Sequence, residues 1–270
     1  MAGSLGVAVE GRIPRTAGVA GSRLRRVLIP ILSLLLLLAL WQLAASLAVN
    51  PRLMPSPATV LAKIVADSAT GELPWNLAVT LLRVAASFVI AMSLGIALGI
   101  LMGRVKLADE LGQPWLVFFL NLPALVSIVL AYIWIGLVES AAILAVAANK
   151  IPNVVVTVRE GARALDPALA EMAAAFNVPQ TRRLRDVVLP QLYPYLAGAA
   201  RSGLALIWKI VLVVELLGRS NGVGFQLGVY FQLFDVAGIL AYAISFIVVV
   251  QLIEWGIVQP LERRASRWRR

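Results

Sequence analysis

Residues 166–190, DPALAEMAAAFNVPQTRRLRDVVLP, form the longest polar interruption between the hydrophobic stretches of the chain. Pro167 suits the first turn of a helix, and Asp166 before it is a suitable N-cap. Asn177 stands where this helix should end, because Asn tolerates the left-handed conformation that often closes a helix. A second, basic helix is predicted from Thr181 to Val188. The segment is therefore predicted to be a small two-helix hook between hydrophobic spans.

The first helix of this hook carries an apolar stripe. Leu169, Met172, Ala173 and Phe176 recur at the spacing of one helix face. A short amphipathic helix of this kind is suited to docking on a partner protein rather than to catalysis.

The hook resembles the cytoplasmic coupling motif of binding-protein-dependent ABC importer permeases. That motif is Glu-Ala-Ala, three residues, Gly, nine residues, an aliphatic residue, one residue, then Leu-Pro. Every spacing is kept here, by Glu171, Met172, Ala173, Asn177, Val187, Leu189 and Pro190. Met172 stands in place of the first Ala, and Asn177 stands in place of the Gly. The resemblance spans roughly residues 75–260 and is strongest to the nitrate, sulfonate, taurine and bicarbonate branch.

The resemblance implies an all-α membrane protein with the type I ABC importer permease fold, acting as a homodimer. It also implies two cytoplasmic ATPase subunits that dock on the hooks and an external binding protein that delivers the substrate. The residues expected to couple to the ATPase are Leu169, Glu171, Met172, Ala173, Phe176, Asn177, Leu189 and Pro190. ATP and Mg²⁺ are expected on the partner, because the chain lacks the G-x-x-x-x-G-K-[ST] phosphate loop.

The composition is that of an integral membrane protein without an enzyme site. Hydrophobic residues make up 60% of the chain and charged residues only 14%, against about 25% in soluble domains. The net charge of +10 does not indicate nucleic acid, because the basic residues flank apolar stretches, where lipid head groups and orientation explain them. The absence of Cys and His excludes disulfides and metal sites built on those residues.

Hydropathy predicts six membrane spans within a permease domain at 27–260. Basic cytoplasmic tails are predicted at 1–26, without fixed structure, and at 261–270. Pro114 is expected to start the third span and Pro123 to kink it, while polar residues at 149–153 are expected to interrupt the fourth. The spans are predicted at about 27–49, 76–102, 115–137, 140–158, 193–217 and 236–258.

The distribution of basic residues predicts the orientation of these spans. Only Arg52, Lys63 and Arg219 of the 24 Lys and Arg residues fall outside the spans on the side opposite the hook. The positive-inside rule therefore places both termini and the hook on the cytoplasmic side of a bacterial inner membrane.

Charged residues within the spans are the candidates for a substrate path, because an unpaired charge there costs a few kcal/mol or more. Lys150, Trp208, Lys209 and Glu215 are predicted to line the path or its gate, with Lys209 as the foremost anion contact. Structural alternatives stay open: Lys209 could pair with Glu215 or Glu254, and Lys150 could lie in a buried pair or snorkel. The other charged residues within spans, expected to snorkel or pair, are Arg83, Arg201 and Glu254.

The sequence thus predicts a permease subunit that moves a small solute, with an organic sulfonate, nitrate or similar anion favoured. One alternative keeps this role with an uncharged vitamin precursor as substrate. Another is an ion-coupled secondary transporter using Lys209, Glu215 and Glu254 as relay groups, although the chain shows no inverted repeat. A membrane scaffold without substrate is a third alternative.

Overall fold

A computed structural model describes the backbone of residues 19–260 and the side chains of residues 28–260. All regular structure in these ranges is helical, with two five-residue π-helical segments at Leu184–Val188 and Glu254–Val258. The α-helices are α1 (Val19–Leu47), α2 (Pro57–Ala69), α3 (Glu72–Arg104), α4 (Lys106–Asn121), α5 (Ala124–Ile135), α6 (Glu139–Arg163), α7 (Pro167–Ala175), α8 (Gln180–Arg183), α9 (Leu189–Gly218), α10 (Val223–Gln232) and α11 (Val236–Ile253).

The chain divides into two units, one up to Ala58 and one from Thr59 onward. The first unit contains α1, which begins at Val19, inside the segment predicted as a tail. Trp41 Nε1 donates to the carbonyl oxygen of Pro55 at 3.0 Å, which holds the loop after α1 against the end of that helix. The remaining tail residues, 1–18 and 261–270, lie outside the described residues.

Four helical segments are long and apolar enough to cross a membrane: Leu28–Leu47, Glu72–Arg104, Glu139–Arg163 and Val236–Val258. Helices α4 and α5 are long and apolar enough to cross a membrane only when they are taken together, and the chain bends by 98° at the break between them. Helix α9, which contains Arg201, Lys209 and Glu215, is not among them. The described residues therefore hold four such spans, or five with the bent pair, and the six-span count stays a prediction.

Two proline expectations are wrong in detail. Pro114 does not start a span, because it lies inside α4, which begins at Lys106 directly after the extended residue Val105. Pro123 does more than kink a helix, since it has a non-helical ψ of 134° and separates α4 from α5. The residues just before Pro114 are thus already helical, and the expected kink at Pro123 is a break.

The expected interruption of the fourth span is also wrong. Helix α6 runs without a break from Glu139 to Arg163 with Pro152 inside it. A proline removes one backbone donor from a helix. Here Pro152 is buried within a packed bundle, so packing against the neighbouring helices offsets the missing hydrogen bond and the helix continues.

Helices α3 and α6 form the centre of the second unit and approach each other along a glycine stripe. A Cβ atom on Gly95, Gly99 or Gly103 would lie 2.5–2.7 Å from side-chain atoms of α6. Only glycine permits this separation, as is typical of small residues spaced four apart on membrane helices. Helix α9 packs on α6 and α3, and α10 packs between α9 and α11.

A small polar group joins α2 to α10 outside the spans. Tyr230 Oη donates to Asp67 Oδ2 at 3.2 Å, and Lys63 Nζ lies 3.1 Å from Asp67 Oδ1. The ammonium of Lys63 also lies 5.1 Å from the centre of the Tyr230 ring. Burial raises the pKa of Tyr230 above its usual value. Burial alone would lower the pKa of Lys63, but its hydrogen bond to Asp67 and the adjacent Tyr230 raise it overall.

Candidate functional site

The first helix of the hook begins as the sequence predicts. Asp166 precedes α7, and its Oδ1 accepts a hydrogen bond from the backbone N–H of Ala168 at 2.8 Å. Pro167 occupies the first turn, where its missing N–H leaves no unpaired donor. The predicted N-cap is therefore confirmed.

The end of α7 is equally well defined. Asn177 has a φ of 49° and is one of few non-glycine residues with positive φ in the described chain. Its N–H donates to the carbonyl oxygen of Ala174 at 3.0 Å, and the N–H of Val178 donates to that of Ala173 at 2.9 Å. These two bonds form a Schellman motif. Asn177 thus provides the left-handed cap expected of it, in place of the glycine of the coupling motif.

The predicted apolar stripe of α7 divides between two environments. Ala173 is 1% exposed and faces the protein. Leu169, Met172 and Phe176 are exposed, with Phe176 at 78%. Glu171 is also exposed. Three apolar side chains on one short helix therefore lie open to solvent or to a partner.

The second part of the hook is not a separate helix that stops before α9. Helix α8, the π segment Leu184–Val188 and α9 follow one another without a break. The N–H of Leu189 donates to the carbonyl oxygen of Leu184, five residues earlier. This wider turn carries the chain past Pro190, which has no N–H to donate. Leu189 and Pro190 thus lie at the junction through which the hook joins α9.

Gln191 closes the hook, a role that sequence reasoning missed. Its Oε1 accepts from the backbone N–H of Asp166 at 2.9 Å, and its Nε2 donates to the carbonyl oxygen of Val187 at 2.9 Å. One side chain of α9 therefore connects the first residue of the hook with the π segment near its end. Its position directly after the Leu-Pro pair is the only signal the sequence offers.

A buried ionic cluster lies at the end of the bundle where α9 leads into α10. Arg83 Nη1 donates to Glu215 Oε1 at 2.7 Å, and its other guanidinium nitrogens contact Glu139. Arg219 Nη2 contacts Glu139 Oε2 at 2.7 Å. Two cations thus alternate with two carboxylates. The four residues, Arg83, Glu139, Glu215 and Arg219, are called the Arg83 cluster below.

Glu215 is the most enclosed member of the Arg83 cluster. It is 0% exposed, and its Oε2 accepts from Thr80 Oγ1 at 2.9 Å and from the N–H of Gly224 at 2.8 Å. Arg83 also donates to the carbonyl oxygen of Asn221 at 2.8 Å. The cluster therefore fixes the turn that leads into α10.

The sequence held a signal for this cluster. Asn76, Thr80, Arg83 and Ser87 recur at helical spacing within an otherwise apolar span, and all four are buried. Polar residues on one face of a membrane helix are expected to find polar partners. That spacing would have predicted a polar contact for α3, although not the identity of its partners.

The other two charged residues predicted to line the path, Lys150 and Lys209, do not lie together at one site. Lys150 is 2% exposed and has no hydrogen bond or ion pair to any other described residue. Lys209 is exposed on α9, and neither of the carboxylates considered for it is its partner in the described chain. Glu215 pairs instead with Arg83, and Glu254 lies 3.7 Å from Arg201.

An apolar groove lies between α3, α9 and the end of α11. Its volume is about 680 Å³, and Arg201 is the charged residue among those that line it. Trp208 lines it as well and packs edge-to-face on Phe246, with ring centres 5.9 Å apart. It is called the Arg201 groove below. No group of three or more His, Cys, Asp or Glu residues suited to a metal ion occurs among the described residues.

Comparison with known proteins identifies the family. The family model for the binding-protein-dependent transport system inner membrane component matches residues 95–266. The putative aliphatic sulfonates transport permease SsuC of Bacillus subtilis is 29% identical over 86% of this chain and 84% of its own length. SsuC of Escherichia coli is 30% identical over 86% and 88%, and the taurine permease TauC of Escherichia coli is 25% identical over 90% of both chains.

Solved structures support the same fold. An inward-facing structure of the MetNI methionine ABC transporter aligns with a TM-score of 0.59 and 19% identity, covering 70% of this chain and 93% of that one. An amino acid ABC transporter solved with histidines aligns with a TM-score of 0.60 and 19% identity, covering 74% and 97%. Together with the matched family model, these findings show that the chain belongs to the inner membrane components of binding-protein-dependent transport systems, the permease subunits of ABC importers.

Proposed function

We propose that this permease works as a homodimer that imports a small anionic solute and takes its energy from two cytoplasmic ATPase subunits. ATP and Mg²⁺ bind and react on those partners. An external binding protein delivers the solute. Both termini and the hook lie in the cytoplasm, in agreement with the positive-inside distribution of Lys and Arg.

The observation that carries the coupling proposal is the geometry of the hook. Its first helix is capped at both ends and exposes Leu169, Met172 and Phe176. Exposed apolar side chains clustered on one rigid element are typical of a protein interface. Because the hook continues into α9 through Leu189 and Pro190, a displacement of the hook by the ATPase would reach the bundle directly.

The proposal of an anionic solute has two supports. The similar permeases are named for aliphatic sulfonates, taurine and bicarbonate, all small anions or zwitterions. The middle of the bundle also holds the buried cation Lys150 without a carboxylate partner in the described chain. An uncharged vitamin precursor would gain nothing from such a cation, so it is the less favoured substrate.

Co-purification tests the coupling. The chain, extracted in detergent together with its ABC ATPase, is compared with Phe176→Asp and Glu171→Ala variants. We expect Phe176→Asp to lower the recovered ATPase by roughly tenfold or more, because it places a charge in the centre of the contact. Leu53→Asp is the matched control, since Leu53 is an exposed leucine in the loop after α1.

The outcome decides between this arrangement and others. Loss of ATPase with Phe176→Asp, but not with Leu53→Asp, supports docking at α7. Equal recovery from all variants would mean that the ATPase binds elsewhere. ATP-driven uptake of uncharged pyrimidines, but of no anion, would contradict the proposed substrate while leaving the docking intact.

A further inference from the structure

The Arg201 groove follows α9 for much of the thickness of a membrane. Its lining residues on α9 run from Tyr193 to Trp208, which corresponds to about 22 Å at ~1.5 Å per residue. The opposite walls come from apolar residues of α3, such as Leu81 and Phe88, and from Ile253 and neighbouring residues at the end of α11. The groove is therefore long, narrow and almost wholly apolar.

Two cations lie at a similar depth of the bundle, one in the groove and one buried beside it. The Cε atom of Lys150 lies 3.0 Å from the position that a Cβ of Gly203 would occupy. Gly203 is two residues from Arg201, so the two cations lie within about 3 Å of the same depth along α9. Glu254 is a carboxylate that contacts Arg201 there. Arg201 lines the groove and Lys150 is buried beside it, so two cations lie near the groove at this depth.

The contact between Arg201 and Glu254 is open to an incoming anion. Its N–O distance is 3.7 Å, and the side chain of Arg201 is 50% exposed. Glu254 is the first residue of the π segment that follows α11, and such segments are frequent at functional sites. By contrast, Glu215 and Arg83 are 2.7 Å apart and almost fully enclosed. An anion can reach Arg201, whereas it cannot reach Arg83 without unfolding the cluster.

We propose that the Arg201 groove is part of the substrate path and that Arg201 binds the anionic group of the substrate in place of Glu254. This inference rests on the proposed import of a small anion. The apolar walls then receive the rest of the molecule, so the substrate class is an organic anion with a hydrocarbon body. A hydrated inorganic anion would gain little from walls without polar groups.

Uptake by the complete transporter tests this inference. The permease, its ATPase and its binding protein are reconstituted in lipid vesicles, and radiolabelled alkanesulfonates of two to eight carbons are supplied with ATP. Uptake per ATP hydrolysed is measured for the wild type, Arg201→Gln, Arg201→Lys and Ala200→Phe. Arg104→Gln is the matched control, because Arg104 is exposed at the end of α3, about 18 Å along the helix from Met92 of the groove. Every variant is supplied with the same binding protein, so differences in uptake between variants do not reflect the selectivity of the binding protein.

Three results are expected. Arg201→Gln lowers uptake per ATP by about tenfold, the effect of losing one charge-assisted contact. Arg201→Lys restores part of that loss, because the charge is kept and the bidentate geometry is not. Ala200→Phe narrows the groove and lowers uptake of the eight-carbon substrate more than that of the two-carbon substrate, while Arg104→Gln matches the wild type.

Other results would overturn the inference, and they separate it from the proposed function. Normal anion uptake in Arg201→Gln and Ala200→Phe would show that the groove is not part of the substrate path, with import itself intact. A wild-type complex that hydrolyses ATP but imports no alkanesulfonate would overturn this inference, and the proposed import of a small anion would fall as well only if nitrate and bicarbonate are not imported either. If the Arg201→Gln variant does not assemble with the ATPase, uptake by Arg201→Lys and Ala200→Phe tests whether the groove is part of the substrate path.

Discussion

The Arg83 cluster and the Arg201 groove differ in how fully their charged side chains are paired and enclosed, although both belong to one helical bundle. In the Arg83 cluster, two cations and two carboxylates alternate at hydrogen-bonding distance, and Glu215 has two further donors. In the groove, Arg201 lies 3.7 Å from Glu254, and the buried Lys150 beside the groove has no hydrogen bond or ion pair to a described residue. Every charge of the Arg83 cluster thus has a described partner, whereas Lys150 has none.

This difference separates stability from function. A buried charge costs several kcal/mol to desolvate, and only a complete set of partners offsets that cost. The Arg83 cluster has such a set and fixes the turn before α10. Lys150, which lies beside the groove, lacks such a set among the described residues, so its burial lowers the stability of the bundle. Removing charge should therefore have opposite effects at the two places.

The largest effect is expected from Glu215→Ala. The change leaves Arg83 buried without its innermost partner, which lowers the free energy of unfolding by about 3–5 kcal/mol. Thermal unfolding in detergent measures it. Glu139→Ala is the matched control, because Glu139 is half exposed and its loss leaves the Arg83–Glu215 contact in place. Equal destabilisation by both variants would contradict the closed character of the cluster.

The next effect has the opposite sign. Lys150→Met removes a buried cation and keeps an apolar side chain of similar length, so we expect the free energy of unfolding to rise by about 1 kcal/mol. Lys106→Met is the control, since the side chain of Lys106 is fully open on α4, and surface changes usually stay within about 0.5 kcal/mol. A lower unfolding temperature for Lys150→Met would break the comparison, because Lys150 would then have a polar partner in the assembled protein.

Arg201→Gln should change stability much less than it changes uptake. Arg201 is half exposed, and partly solvated ion pairs contribute only about 0–1 kcal/mol. We expect a shift in the unfolding temperature close to the error of the measurement, together with the loss of uptake described above. A large drop in unfolding temperature would instead assign the Arg201–Glu254 pair a structural role like that of the Arg83 cluster.

Local signals in the sequence predicted the local structure of the hook. Asp166, Pro167 and Asn177 act through their own backbone and its nearest neighbours, so their capping roles could be inferred without knowing the fold. The spacing of Gly95, Gly99 and Gly103 likewise indicates a closely packed helix face, although not which helix packs on it. The capping predictions succeeded because those interactions span only a few residues.

The partners of the buried charges could not be inferred in the same way. Arg83 meets Glu215 across 132 residues of sequence, and no local pattern encodes that contact. Lys209 was the foremost anion contact in the sequence because it is central in its span, yet the groove is lined by Arg201 and Trp208 on another face of α9. Which face of a helix borders an opening depends on its neighbours, and therefore on the tertiary fold.

The smallest effect concerns the polar group formed by Lys63, Asp67 and Tyr230, which lies outside the spans and is closed like the Arg83 cluster. The pKa values of Lys63 and Tyr230 are both raised above their usual values of 10.5 and 10.0. In each case the folded protein holds the proton more tightly than the unfolded chain does. The stabilisation is therefore complete below the unfolded pKa values and is lost as the pH rises through the folded ones.

We thus expect the unfolding temperature to fall at alkaline pH, above about pH 10, and to do so less steeply in Tyr230→Phe, which cannot release this proton. The comparison of wild type and Tyr230→Phe across pH 8–11 measures the difference, with Tyr193→Phe as a matched control because Tyr193 is exposed. A group in which every charge is paired becomes less stable when one member changes its charge. Loss of the charge on Lys150, by contrast, should not lower the free energy of unfolding. Identical pH profiles for the wild type and Tyr230→Phe would show that the contact between α2 and α10 does not depend on the charge of this group.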